Sequence, residues 1–363
     1  MSLLVSKFFD EQLEIVNTTA DYNIVNYIMK LNKDNLLDNS KFLVWNLKLL
    51  NKKLKKNNLV VYLKNKYNFE LKNIIFFDLY HRVPIHSYDF LKNINIYVYI
   101  IDNHCEMGID NYRYTEFTKK DKFNLLCCYA YNLGCCNPTG VNFKFNYFFH
   151  NVIHKININK NPINKVLICG RGVNNITRYP MRNKMYGLSQ YKLNKNRHLL
   201  HYFKRDIPYR ASREDKRTWG FNFIKKLNDY KVVFCDDGNI KTNVPYILAK
   251  FFEIMSAGSV LLTHNKSTKK YFTKLGFIDG KDYLSIDLDN SNDNIMNTIK
   301  EILSDKNKEN LDKIRLSGYC KVWKYHSSEA RFNDLAGILD GTLEYKEFDD
   351  GINNTKYLSK KYT

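Results

Sequence analysis

Apolar and polar positions along this chain fall into blocks whose period changes. Over residues 1–56, Leu36, Leu37, Phe42, Leu43, Leu47, Leu49 and Leu50 recur at irregular helical spacing, with Asn and Lys on the polar faces. This predicts a helical N-terminal segment, 1–56. From Asn57 the pattern turns to brief apolar runs. Leu59–Leu63, Ile74–Leu79 and Ile94–Ile101 read as strands between polar helical or loop stretches, the alternation of an α/β layer. The polar stretch Asn157–Asn164 contains Pro162 and reads as a linker. Strands resume at Lys165–Gly170 and Lys231–Asp236. The predicted organisation is therefore an α/β domain over 57–160, a second over 161–340, and a polar tail, 341–363.

The most informative stretch is Lys250–Thr263, KFFEIMSAGSVLLT. Ile247, Leu248, Phe251, Phe252, Ile254 and Met255 supply the apolar face of a helix. Pro245 stands where that helix can begin and Gly258 where it must stop. Val260–Leu262 then reads as a parallel strand covered on both faces. Lys250 and Glu253 interrupt the apolar run three residues apart, on one side of the helix. Two readings are open: an ion pair on a solvated edge, or Glu253 facing a cleft at the carboxyl end of a parallel sheet, where α/β proteins bind ligands.

Composition narrows the class. The chain has 363 residues, 44% hydrophobic and 15% aromatic, enough for two globular cores. No apolar run is long enough to span a membrane. The N-terminus lacks the basic and small-residue pattern of a signal peptide, so an intracellular, soluble protein is expected. The formal net charge of +20 suggests a polyanionic partner. However, Lys, Asn, Ile, Tyr and Phe all have A/T-rich codons, and codon bias accounts for part of the lysine. Arginine is more telling: eight of the 12 Arg residues lie between Arg171 and Arg217, and a guanidinium fork suits phosphate. The eight cysteines lack zinc-finger spacing and read as buried free thiols. Asp236 and Asp237 are adjacent and point apart in an extended chain, which argues against a metal-binding DxD.

The segment K-x-x-E-I-M-S-A-G-S-V-L-L-T resembles the donor-site helix of GT-B glycosyltransferases, in particular the family-1 group that includes bacterial spore-maturation proteins and giant-virus enzymes. Tyr179–Arg182 (YPMR), Phe277–Leu284 (FIDGKDYL) and Tyr325–Leu335 (YHSSEARFNDL) resemble further segments of the same group. The resemblance runs from near Ile94 to near Leu335. It implies two Rossmann-like domains facing across a cleft. It also implies transfer of a sugar from a UDP- or GDP-linked donor to a glycan or glycoprotein acceptor, in the host cytoplasm if the protein is viral. Glu253 would hold the ribose, and Gly170, Arg171, Arg182, Lys250 and Gly258 would line the donor side. The departing diphosphate would be stabilised by basic side chains and a helix N-terminus, with no metal and no cofactor.

On the acceptor side, Ile94–Ile101 ends in Asp102 and His104. Their spacing allows either a catalytic base with its orienting partner or a loop cap with a packed histidine. His326 and Arg331 are expected to lock the terminal helix, and His150 has the same two readings, cleft or structure. Many retaining GT-B enzymes carry a second Glu eight residues before the first. Here Pro245 takes that place, which leaves the stereochemistry open. The alternative is a nucleic-acid-binding protein that uses the basic, aromatic stretch 197–217. Nucleic acid is not the expected partner.

Overall fold

A computed structural model describes residues 1–6, 23–46, 50, 59–77, 94–100, 123–127, 145–147, 151–170, 180–190, 195–204, 213–236, 248–264, 269, 272–273, 275–343, 345–348 and 355–358. The chain divides into two compact units. One holds Met1–Val16, Asp21–Phe149 and Arg331–Lys360, and the other Asn17–Ala20, His150–Ala330 and Lys361–Thr363. The boundary thus falls before the expected one at 160/161, and the C-terminal part returns to the first unit.

In the first unit the elements run β1 (Ser2–Ser6), α1 (Asn23–Lys33), β2 (Phe42–Asn46), α2 (Leu59–Tyr67), β3 (Asn73–Phe77), β4 (Asn95–Ile100), β5 (Phe123–Cys127) and β6 (Phe145–Tyr147). The N-terminal segment is therefore not simply helical. β1 lies inside the sheet, parallel to β2 on one side and β3 on the other, and Leu3, Leu4 and Val5 are fully buried. Leu59–Leu63, expected as a strand, opens helix α2 instead. Leu59 and Leu63 are buried while Val61 is 46% exposed, and that i,i+4 spacing is a helical stripe.

The second unit continues with β7 (Ile163–Gly170), α3 (Pro180–Gln190), β8 (Leu200–Lys204), α4 (Arg213–Asn228), β9 (Tyr230–Phe234), α5 (Ala249–Ser256), β10 (Val260–His264), β11 (Leu284–Ile286), α6 (Asn292–Ile302) and α7 (Lys308–Tyr325). Helix α8 (Ser328–Asp340) follows, and its residues from Arg331 count with the first unit. The polar tail adds β12 (Tyr345–Phe348) and β13 (Thr355–Leu358) to the first sheet. These pair antiparallel with each other, and β13 lies parallel to β6.

The two sheets share a topology. The first has the order β12-β13-β6-β5-β4-β3-β1-β2 and the second β11-β10-β9-β7-β8. Among the described residues, all strand pairs apart from β12–β13 are parallel. In each unit the first strand sits between the second and the third, which makes each a doubly wound Rossmann-like layer. Its switch point lies between β1 and β3 in one sheet and between β7 and β9 in the other. Ligands bind at such switch points, beyond the carboxyl ends of the strands.

The second core explains why its strands read so clearly in the sequence. Val166, Ile168, Val232, Phe234, Val260 and Leu262 pack on one face with Met185 and Leu188 of α3 and Ile295 and Ile299 of α6. On α5, Phe251, Phe252, Ile254 and Met255 are buried, each large side chain contributing roughly 1.5–3 kcal/mol. His326 is buried and stacks on Phe252 and Phe277, at 4.5 and 5.3 Å between ring centroids. Arg331 and Asp334 form a buried ion pair at 2.9 Å. Both residues thus brace the terminal helices, as expected. Cys169 and Cys235 are buried free thiols, whereas Cys320 is free and exposed. Among the described residues no helix is long and apolar enough to cross a membrane.

Candidate functional site

The candidate site is the carboxyl edge of the second sheet. β7 ends there at Gly170, at the switch point, and β9 is followed there by Cys235 and Asp236. Helices α3 and α5 each reach this edge with their first turn, because each connects to strands that run the other way.

Asp236 is the hub. Its Oδ2 accepts the backbone N–H of Arg182 at 3.0 Å, and its Oδ1 faces Arg182 Nη2 at 3.4 Å. Pro180 opens α3, where its missing N–H costs nothing. Asp236 then satisfies one of the remaining free donors of that first turn, as a cap supplied from another strand. Arg182 is only 5% exposed. Burial pushes the Asp236 carboxyl above its ordinary range, against the pull of Arg182 and, more weakly, of Lys250. Burial likewise pushes the Cys235 thiol up, with Lys250 and Arg182 acting against it. Arg182 of α3 therefore binds this carboxylate directly, and Lys250 of α5 acts on it only electrostatically.

Lys250 and Glu253 lie in the first turns of α5, both half-buried. Gly258 lies elsewhere. The chain reverses there, with φ +74°, between the end of α5 and the start of β10. This is the amino end of the strand, a helix length from Lys250. A Cβ on Gly258 would stand 2.8 Å from Ile158 Cγ1, and its carbonyl accepts Arg315 Nε at 2.7 Å. Arg315 also donates to the Asn159 carbonyl at 3.0 Å, which fixes the linker against this turn. Gly258, expected on the donor side, thus makes a tight turn that packs on Ile158 and binds Arg315. Arg171, Asp102, His104 and His150 lie outside the described residues.

Sequence reasoning missed two features. Asp236 entered only as half of an unconvincing metal motif, and its pairing with Arg182, 54 residues away, left no local signal. His264, Asp287 and Asp289 also bring their ligand atoms within 4.8 Å of one another, across a sequence gap that no spacing rule covers.

No family model matches the chain, and no curated protein is similar to it in sequence. Solved structures are. HepE of Anabaena in complex with UDP superposes with a TM-score of 0.51 at 8% identity, over 94% of this chain and 99% of that one. Its complex with UDP and glucose gives 0.50 at 8% identity, over 94% and 100%. The chain has the GT-B fold. A glycosyltransferase from Rickettsia africae gives 0.50 at 9% identity, over 94% of this chain and 98% of that one. A GT-B assignment agrees with two doubly wound parallel sheets in one chain. The likeness is carried by backbone topology, since identity this low leaves few shared side chains.

Proposed function

We propose that this GT-B protein is a glycosyltransferase that moves a sugar from a nucleoside-diphosphate donor to a glycan or protein acceptor. The observation that carries the reading is the Arg182–Asp236 pair at the carboxyl edge of the second sheet, with Lys250 and Glu253 in the first turns of the helix that starts at the same edge. Bond cleavage at the anomeric carbon leaves added negative charge on the diphosphate. Lys250 and Arg171 would meet that charge, and Asp236 would hold the first turn of the Arg182 helix in place behind them. Glu253 would accept hydrogen bonds from the ribose hydroxyls. Gly170 ends its strand without a side chain and would let the diphosphate approach the backbone. Asp102 or His104 would take the proton from the attacking acceptor hydroxyl. The leaving group would need no metal ion.

The donor-helix pattern shared with giant-virus and spore-maturation enzymes supports this reading. So do the UDP and UDP-glucose bound in HepE, which favour a UDP-linked donor. The test is nucleotide affinity. A charged hydrogen bond to ribose is worth about 1.5–3 kcal/mol, so Glu253→Ala should weaken UDP or GDP binding roughly 10- to 100-fold. Unchanged affinity in a folded variant would remove Glu253 from the site. If single-stranded RNA binds more tightly than either nucleotide, and binding collapses as salt rises, the nucleic-acid reading would replace this one.

A further inference from the structure

His264 is the last residue of β10, and Asp287 and Asp289 follow directly on β11. The strands are in register there, with His264 opposite Ile286. The imidazole is only 6% exposed. Its Nδ1 lies 3.3 Å from the Ile286 carbonyl and 3.3 Å from the Leu288 N–H. One ring nitrogen cannot serve both at once. It donates to the carbonyl when protonated and accepts from the N–H when not. Its Nε2 makes no hydrogen bond among the described residues and is not sealed from solvent. The carboxylates of Asp287 and Asp289 converge on this histidine, all three ligand atoms lying within 4.8 Å of one another. The loop carrying them is held from behind by Lys184 Nζ, which donates to the carbonyls of Leu288 at 2.6 Å and Asn290 at 3.0 Å.

We infer that His264, Asp287 and Asp289 form a binding site for a first-row divalent cation such as Mn²⁺ or Zn²⁺. Together the two carboxylates neutralise a 2+ ion. An imidazole ligand selects for transition metals over Mg²⁺ and Ca²⁺, which prefer all-oxygen shells. Metal on Nε2 fixes the tautomer in which Nδ1–H donates to the Ile286 carbonyl, the usual support for a ligating histidine. The ion would tie the loop after β11 to the end of β10. This site is separate from the diphosphate chemistry proposed above and does not depend on it.

The experiment is titration of the untagged protein with Co²⁺ after chelator treatment and dialysis, followed by visible absorption and equilibrium dialysis. The wild type should bind one Co²⁺ per chain with a ligand-field spectrum, and equimolar Mg²⁺ should not displace it. Asp289 is exposed, so Asp289→Asn is expected to fold. It should weaken binding by at least about tenfold, as should Asp287→Asn. His264→Gln should abolish the spectrum, and the two Asp variants keep the test decisive if His264→Gln fails to fold. Absence of stoichiometric binding at millimolar Co²⁺, wild-type affinity in Asp289→Asn, or ready displacement by Mg²⁺ would each overturn the proposal.

Discussion

Arg182 and Asp236 meet twice, once through the Arg182 backbone N–H at 3.0 Å and once through its guanidinium at 3.4 Å. One carboxylate therefore caps a helix and neutralises a charge that is only 5% exposed. Removing the carboxylate of a buried pair takes away both of these contacts at once, which costs about 3–5 kcal/mol. Asp236→Ala should lower unfolding stability by about that amount in urea titration. A loss below about 1 kcal/mol would mean that Arg182 finds water or another anion.

Gly258 gives an independent check on which end of α5 meets the donor. An alanine there would need a left-handed backbone and would press on Ile158. The expected loss is about 1–3 kcal/mol, partly recovered by Ile158→Ala in the same chain. UDP affinity in the folded Gly258→Ala protein should be unchanged. A fall in affinity without a fall in melting temperature would return Gly258 to the donor site.

If basic side chains carry the leaving-group charge, transfer persists in EDTA. Replacing one such group should cost on the order of 10²–10³ in turnover, and Lys250→Ala is the test in the described part of the site. A loss in EDTA that Mn²⁺ restores in the wild type and in Asp289→Asn alike would place a catalytic metal at the diphosphate.

His201 sets a pH dependence on the far edge of the sheet. Its Nδ1 pairs with the Tyr230 hydroxyl, and burial, then Lys226 and Lys165, hold its pKa below the ordinary histidine value of 6.5. The unfolded chain therefore binds more protons between the lowered pKa and 6.5. Stability is fully present above that window and is lost as pH falls through it. Melting temperature should drop on acidification below about pH 6.5, and His201→Gln should flatten that part of the profile. An unaltered profile would show that His201 is not the group responsible.

Much of the second unit could be read from the sequence. KVLICG, KVVFC and VLLTH are continuous apolar runs because parallel strands covered on both faces have no solvent side. The stop at Gly258 was legible because few residues other than glycine adopt its φ. The first unit was less legible. Leu59–Leu63 offered three apolar positions that fit a strand or a helix, and only the burial of Leu59 and Leu63 with Val61 left outside decided between them. β12 and β13 are polar strands held by their backbone ladders, so no hydrophobic pattern marked them.

The sequence by itself determined the α/β class, the strands of the second core and the helix carrying Lys250 and Glu253. Each of these depends on the spacing of neighbours along the chain. The tertiary structure alone decided that Asp236 holds Arg182, that Gly258 lies at the amino end of its strand, away from the carboxyl edge of the sheet, and that His264 meets Asp287 and Asp289. These relationships join residues 23 or more positions apart or depend on the direction in which a strand runs, and side-chain chemistry specifies neither until the sheet has formed.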